Sequence, residues 1–291
     1  MIPPGMEAML SDDGTVNAPP PDIVQPDQVL PLLAQLDALP SRATGALTFG
    51  GAGAILLDEG RICWAVASPM KRRLTDLLRG QTEPPTPRET MEDIYVHCKT
   101  DATPLGQELL RRGLVTEDGL KSTLHQHNAE AIFLLSQGFE QLIGQWVEHR
   151  LQGYDAQFTF TTAQVLASVG AMRSPHAAGA AQAELERVLS MGGTGAAFVR
   201  ERFTDAPYPV ALVRGDDLAA HDLVELGSWA VHQIDATEQF GDRCGLAWAS
   251  FPNGASTVVW EPGPGLTFAA LCPTRAELGK AMKSLHHSVG R

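Results

Sequence analysis

The sequence predicts a two-domain protein of the α+β class, and three observations support this prediction. The chain has 291 residues, enough for two domains that each bury a hydrophobic core. In the first half, apolar runs joined by the turn at 58–60 predict a β-hairpin ahead of a helical segment. In the second half, the order helix–strand–strand–helix–strand–strand–strand–helix predicts an antiparallel sheet with accompanying helices.

The acidic balance and the hydropathy pattern exclude several classes of partner. The net charge is −12, so the backbone of a nucleic acid and an anionic membrane surface would both be repelled. No apolar run of 18 residues occurs, so no membrane-spanning helix is expected. The one basic run, 71–73, is interpreted as a solvated face. We therefore expect neither a nucleic-acid nor a membrane partner.

The chain opens with a segment of unusual composition. Residues 1–27 are rich in proline and aspartate and lack the basic and apolar regions of a signal peptide, so a disordered leader is expected. Apolar residues from Val29 to Leu36 then predict a helix at about 27–38. Three strands are expected to follow, at about 45–49, 53–58 and 61–67.

The next part of the first domain is predicted to be helical. Thr86-Pro-Arg-Glu89 is a capping box with proline at the first helical position, which predicts a helix over 87–98. A helix at 104–112 ends at a glycine, and Thr116 caps a longer helix at 116–137. Four residues form the apolar face of that longer helix: Leu120, Leu124, Ala131 and Leu135. This unit carries no catalytic group and is interpreted as a packing and interaction module.

These residues also carry a family resemblance. The pattern Leu-Gly-x-x-Leu-Leu-x-x-Gly-Leu-Val-Thr at 105–116, the pair at 134–135 and Phe-Thr-Phe at 158–160 are similar to the PATAN family. The hairpin residues at 45–49 and 55–65 resemble the other half of that family's pattern. The resemblance implies a bacterial signalling adaptor with no known chemistry of its own.

The residue types between 139 and 182 predict where the first domain ends and the second begins. An added apolar helix at 139–151 and a short strand at 157–161 are expected to complete the domain. Residues 170–182 are small and weakly patterned, as is typical of a linker, so the boundary is placed near Pro175. The two predicted domains span 28–169 and 183–291.

The second domain is predicted to contain three helices and five strands. The first helix, about 179–191, ends at a Gly-Gly pair. The second runs from Asp216 to about Thr237, and the third begins with the capping box at 274–277. The strands are expected at about 196–199, 208–213, 244–250, 256–260 and 266–271.

That order of elements resembles the roadblock domain over about 178–290, although the turn at 204–207 lacks the glycine that the family usually has there. The resemblance implies a homodimer and, in some relatives, control of a small Ras-like GTPase. The helix at 217–236 supplies the candidate partner or dimer interface, namely Leu223, Leu226 and Trp229.

The sequence offers few candidates for chemistry. His125 and His127 are two apart on a helix and point about 200° apart, so they cannot share a metal ion. Cys63 has apolar neighbours, which indicates a core thiol rather than a nucleophile. The glycine-rich runs at 50–53 and 192–195 lead into strands, whereas a phosphate loop opens a helix. We expect no catalytic residue, no cofactor and no bound metal.

The four cysteines have no C-x-x-C spacing and lie in apolar or strand-like contexts, which indicates buried free thiols in a reducing cytosol: Cys63, Cys98, Cys244 and Cys272.

Two functions stay open from the sequence. The first is a non-catalytic cytoplasmic adaptor that contacts a protein partner, such as a small GTPase or another signalling protein, and that forms a homodimer. The second is a small-ligand sensor or an enzyme that uses a pocket not visible in the sequence.

Overall fold

The structure is a computed structural model, and it describes most of the chain. The chain forms two compact units. Unit 1 contains Ala38–Phe160, and unit 2 combines Ile23–Asp37 with Thr161–Arg291. The predicted leader lies outside the described residues except for its last two, which belong to a short 3-10 helix, Pro26–Val29. The described residues are 26–82, 84–101, 103–137, 144–148, 155–190, 192–200, 206–239, 246–250, 255–263 and 265–289.

Both units combine helices with an antiparallel sheet, which confirms the predicted α+β class. Within the described residues the α-helices are α1 (Leu30–Asp37), α2 (Leu74–Arg79), α3 (Arg88–Thr100), α4 (Leu105–Arg111), α5 (Glu117–Ser136), α6 (Thr162–Arg173), α7 (Pro175–Val188), α8 (Ala220–Gln239) and α9 (Arg275–Val289). The strands are β1 (Gly45–Thr48), β2 (Gly53–Asp58), β3 (Arg61–Ala67), β4 (Gln145–Glu148), β5 (Thr194–Val199), β6 (Tyr208–Val213), β7 (Leu246–Ser250), β8 (Ser256–Gly263) and β9 (Leu266–Cys272).

The sheet of unit 1 has the order β3-β2-β1-β4, and each neighbouring pair is antiparallel. Strand β2 lies inside the sheet, and all its residues except Asp58 are buried. The hairpin from β2 to β3 turns at Glu59 and Gly60, whose φ angles are 48° and 77°. Two successive positive φ angles are what a two-residue hairpin turn of type I′ requires. The predicted hairpin is therefore confirmed.

Helix α5 lies between this sheet and the other helices of unit 1. It begins at Thr116, whose Oγ1 accepts a hydrogen bond of 3.0 Å from the backbone N–H of Gly119, as a helix N-cap does. One side of the helix packs along β3. The other side closes a core with α2, α3 and α4, formed by Leu78, Met91, Ile94, Cys98, Leu109, Val115 and Leu120. The helices predicted over 87–98, 104–112 and 116–137 are confirmed.

The sheet of unit 2 has the order β6-β5-β9-β8-β7 and is also antiparallel throughout. Neighbouring residues of β5 serve opposite faces: Ala197 lies in the core under α7 and α9, while Ala196 and Phe198 lie in the core under α6 and α8. Both faces are thus covered by helices. Helix α1 packs on α6 and α8, with Leu32 and Leu33 completely buried.

The prediction for the end of unit 1 was wrong in two places. Of the helix expected at 139–151, the structure places 145–148 in strand β4, and residues 139–143 and 149–151 lie outside the described residues. Pairing with β1 sets Trp146 opposite Leu47, so the ladder stabilises the extended form. The strand expected at 157–161 is instead a 3-10 turn, Ala156–Phe158, followed by a bridge between Ile62 and Phe160.

The predicted linker was also wrong. Residues 170–182 lie in α6 and α7, and the division between the units falls at Phe160/Thr161. One of the small residues there serves close packing: a Cβ on Gly170 would lie 1.8 Å from the carbonyl oxygen of Pro209 in β6. Composition alone does not separate a loose linker from a helix that must approach a strand closely. The predicted helix at 27–38 exists as α1, but it belongs to unit 2.

Candidate functional site

The two edges of the sheet in unit 2 differ, and one of them is protected. Helices α6 and α7 both pack against the edge strand β6. At their junction the hydroxyls of Ser174 and Tyr208 are 2.9 Å apart, and the guanidinium of Arg173 lies 4.9 Å from the centre of the Tyr208 ring. Pro209 has no N–H to offer a further strand, and its carbonyl points at Gly170 of α6. This edge is closed to a partner strand.

The other edge, β7, has fewer protections: within the described residues α8 packs against it, but it carries no proline. Its sequence is Leu-Ala-Trp-Ala-Ser, without charge or proline. It pairs with β8 on one side, and no described strand pairs with its other side. Alternate N–H and C=O groups of an antiparallel edge strand face outward, where they can bind another strand. Ala247 and Ala249 are half-buried and have small side chains.

Helix α8 contains the three residues predicted as an interface, and the structure separates them. Leu223 is completely buried in the core with Ala230 and Ile234, so it serves packing and is not exposed to a partner. Leu226 and Trp229 pack against the margin of the same core and stay half-buried. They lie three residues apart and share one side of the helix. Of the three residues predicted as an interface, Leu226 and Trp229 are thus the two that stay accessible, and the interface itself stays a prediction.

The rim of this helix surface is acidic. Asp222 and Glu225 are exposed on α8 close in sequence to Leu226. Farther along, Asp235 is held by a 2.5 Å ion pair with Arg200. An apolar centre with a charged rim is the usual composition of a protein–protein contact. Helix α8 also packs against β7, so the two features belong to one part of unit 2.

The two edges of the sheet in unit 1 also differ from each other. The outer side of β3 is occupied: Ile62 and Phe160 exchange two backbone hydrogen bonds of 2.8 and 2.9 Å, and Ala65 N–H donates to Asn128 Oδ1 at 2.9 Å. At the opposite edge, β4 exposes Val147 by 44%. Asn128 was missed in the sequence, because its place on an apolar helix face gave no sign that it would bind a strand.

The two histidines of α5 have separate surroundings. The His125 ring stacks on Phe160 with 4.5 Å between ring centroids, and the His127 ring lies 4.5 Å from Trp64. Burial lowers the pKa of His127 to about 4, and the nearby Ala65 backbone offsets only part of this shift. Neither ring nitrogen of His127 reaches hydrogen-bond geometry. Among the described residues, no three His, Cys, Asp or Glu side chains are grouped as metal ligands.

The cysteines within the described residues are buried thiols, as predicted. Burial raises the pKa of Cys63 to about 12 and that of Cys272 to about 11, and the pKa of Cys98 is raised for the same reason. Cys63 Sγ also donates to the Leu56 carbonyl at 3.3 Å. A thiol with so high a pKa is a poor nucleophile at neutral pH. Cys244 lies outside the described residues.

The glycine-rich turns enter strands, as predicted. Gly50–Ala52 is a short 3-10 turn ahead of β2, and Gly192 and Gly193 adopt positive φ just before β5. Neither turn opens an α-helix, so neither presents the N–H groups of a helix start to a phosphate.

None of the helices in the described part of the chain has both the length and the hydropathy needed to cross a bilayer. Comparison with known proteins found no family model that matches the chain and no match among curated proteins.

Proposed function

We propose that this protein is a non-catalytic adaptor that acts through protein–protein contact, and that two copies associate through strand β7 of unit 2. The observation that carries the proposal is the difference between the two edges of one sheet. Strand β6 is covered by α6 and carries a proline, whereas β7 is apolar, uncharged and unpaired on its outer side within the described residues.

A two-fold pairing of β7 with the β7 of a second copy would satisfy the unpaired backbone groups of this edge. Antiparallel pairing of one strand with itself is closed, because each copy uses the same surface and no further copy can add. The pairing hydrogen-bonds the outward N–H and C=O groups that would otherwise attract unrelated strands. Leu226 and Trp229, half-buried in the single chain, lie on α8, the helix that packs against β7, and are apolar side chains available to a partner.

The test is the molar mass of the full chain by light scattering at high micromolar concentration. We expect twice the 31.2 kDa of one chain. Ala249→Lys should give the monomer, because a lysine at a strand edge disfavours pairing while its stem stays on the sheet. Val213→Lys is the matched control, since Val213 is also half-buried but lies on the protected edge strand β6. A monomeric wild type, or a dimer that survives Ala249→Lys, would contradict the proposal.

The partner class follows from the resemblances to the PATAN and roadblock families. We propose a cytoplasmic bacterial signalling protein as the partner, with a small Ras-like GTPase or a response regulator as the leading choices. The exposed acidic rim at Asp222 and Glu225 favours a partner surface with basic residues. Recovery of a GTPase from native cytosol should depend on a GTP analogue and be lost with Trp229→Ala. Equal recovery with GDP and with the analogue would argue against control of a GTPase.

A further inference from the structure

Unit 1 is an insertion within unit 2. The chain leaves unit 2 after Asp37 and returns to it at Thr161, so helix α1 is separated in sequence from the helices on which it packs. For α1 to stay docked, the whole of 38–160 must return the chain to the place that it left. The contacts made by the two ends of unit 1 therefore decide how easily α1 docks.

The turn between β2 and β3 binds the segment through which the chain enters unit 1. Gly60 N–H donates to the Ala43 carbonyl at 2.9 Å, and Glu59 N–H donates to Thr44 Oγ1 at 3.0 Å. The contact is close, because a Cβ on Gly60 would lie 2.4 Å from the carbonyl oxygen of Ser41. With its φ of 77°, this position suits glycine on both counts.

The start of β3, directly after this turn, binds the segment through which the chain leaves unit 1. Arg61 Nε donates to Thr159 Oγ1 at 2.7 Å, and Arg61 Nη2 donates to the Thr159 carbonyl at 2.9 Å. The next residue, Ile62, exchanges two backbone hydrogen bonds with Phe160. The incoming and outgoing segments are thus held by residues that are neighbours in one hairpin.

In unit 2, the residues on either side of the insertion lie in contact with each other. Asp37 Oδ1 accepts a hydrogen bond from Thr162 Oγ1 at 2.5 Å, and Asp37 Oδ2 accepts one from the N–H of Ala220 at 3.2 Å. The same N–H lies 3.0 Å from Thr162 Oγ1. The last residue of α1 is therefore fixed to the starts of α6 and α8.

We infer that residues 58–62, which are the hairpin turn and the start of β3, act as a clasp that holds the two ends of unit 1 together and thereby keeps α1 docked on α6 and α8. When unit 1 is folded, the path from Asp37 back to Thr161 is short, because both ends meet at the clasp. When unit 1 opens, the same path becomes a long flexible loop, and the entropy cost of closing it rises with the logarithm of its length. Any event that opens unit 1 therefore weakens the docking of α1 on α6 and α8 and increases the fraction of time that its apolar face is uncovered. This coupling operates whether or not the protein dimerises.

An insertion in the full chain tests the coupling without removing any contact. A flexible Gly/Ser segment of about twenty residues between Asp37 and Ala38 should speed hydrogen exchange of the α1 amides by about tenfold, because it lengthens the closing path. The control carries the same segment after Gly113, where the turn faces open space and the closing path is unchanged. Equal α1 exchange in the two variants would overturn the inference.

A substitution gives a second test. Arg61→Ala removes both side-chain bonds to Thr159 and should also speed exchange of the α1 amides. Arg72→Ala is the control, since Arg72 is an exposed residue of unit 1 that pairs with Glu130 instead. If Arg61→Ala speeds exchange only within the strands of unit 1 and leaves α1 unchanged, Arg61 is structural and the clasp does not act on α1.

Discussion

At the scale of single residues, the buried polar groups of unit 1 set its response to acid. His127 is 4% exposed and its pKa is about 4, because burial disfavours the imidazolium form. Glu108 receives hydrogen bonds from Arg111 and Arg112, which lower its pKa to about 2. His127 and Glu108 change the stability of unit 1 in different pH ranges, so their effects can be distinguished.

We expect the stability of unit 1 to fall between pH 6.5 and pH 4 because of His127. The folded pKa lies below the ordinary value of 6.5, so in this window the unfolded chain binds the proton more readily and protonation favours unfolding. The full loss is about 3 kcal/mol. The Glu108 contribution is lost only below its ordinary pKa of 4.5, as the pH falls towards about 2.

The measurement is the urea midpoint of unfolding for the full chain across that window. His127→Phe should keep the ring against Trp64 and flatten the pH dependence. His97→Gln replaces an exposed histidine of the same unit and is the control for loss of an imidazole outside the core. An unchanged slope in His127→Phe would show that another group carries the acid response.

At the scale of elements, local signals predicted the helices with capping residues and the strands with turn glycines. Thr116, the hairpin at 58–60 and the capping box at 274–277 belong to this group, since each depends on neighbours in sequence. Strand β4 and helix α6 were missed, because their conformations depend on distant partners. Trp146 is extended because β1 lies beside it, and the small residues of α6 are needed because β6 lies against it.

The burial of the three residues proposed as an interface was predicted only in part, for the same reason. Helical spacing placed Leu223, Leu226 and Trp229 on one helix, but only the tertiary packing shows that the first of them is core. Which edge of a sheet is covered depends on the order of all five strands, and that order is not encoded in any one segment.

Helix α6 should be sensitive to one added methyl group. Gly170→Ala places a Cβ 1.8 Å from the Pro209 carbonyl, and since both groups are backbone-bound, α6 must shift away from β6. We expect a loss of about 1–3 kcal/mol or more in the free energy of unfolding. Gly179→Ala in α7 is the control, because nothing lies within 4 Å of its Cβ position. That change should stabilise the helix by about 0.5–1 kcal/mol.

Chemical denaturation of both glycine variants separates packing from helix propensity. Equal stability changes in the two variants would mean that α6 does not approach β6 as closely as the structure shows.

At the scale of the whole molecule, the insertion predicts which parts of the chain can fold alone. Because Asp37 and Thr162 touch, a short Gly/Ser linker that replaces 38–160 can join them without strain. We expect this shortened chain to fold as unit 2, with cooperative thermal unfolding and dispersed NMR amide signals. Residues 178–291 alone lack both α1 and α6 and should not fold. A folded 178–291 fragment would show that these two helices are dispensable.

The position of β9 has a consequence for synthesis on the ribosome. This strand lies in the middle of its sheet, between β5 and β8, yet it is made after every other strand of the described chain. The ribosome therefore releases unit 1 long before unit 2 can assemble. At the usual rate of translation, α1 waits on the order of ten seconds for its partner helices, with Leu32 and Leu33 exposed. During that interval a chaperone that recognises short apolar helices can bind α1.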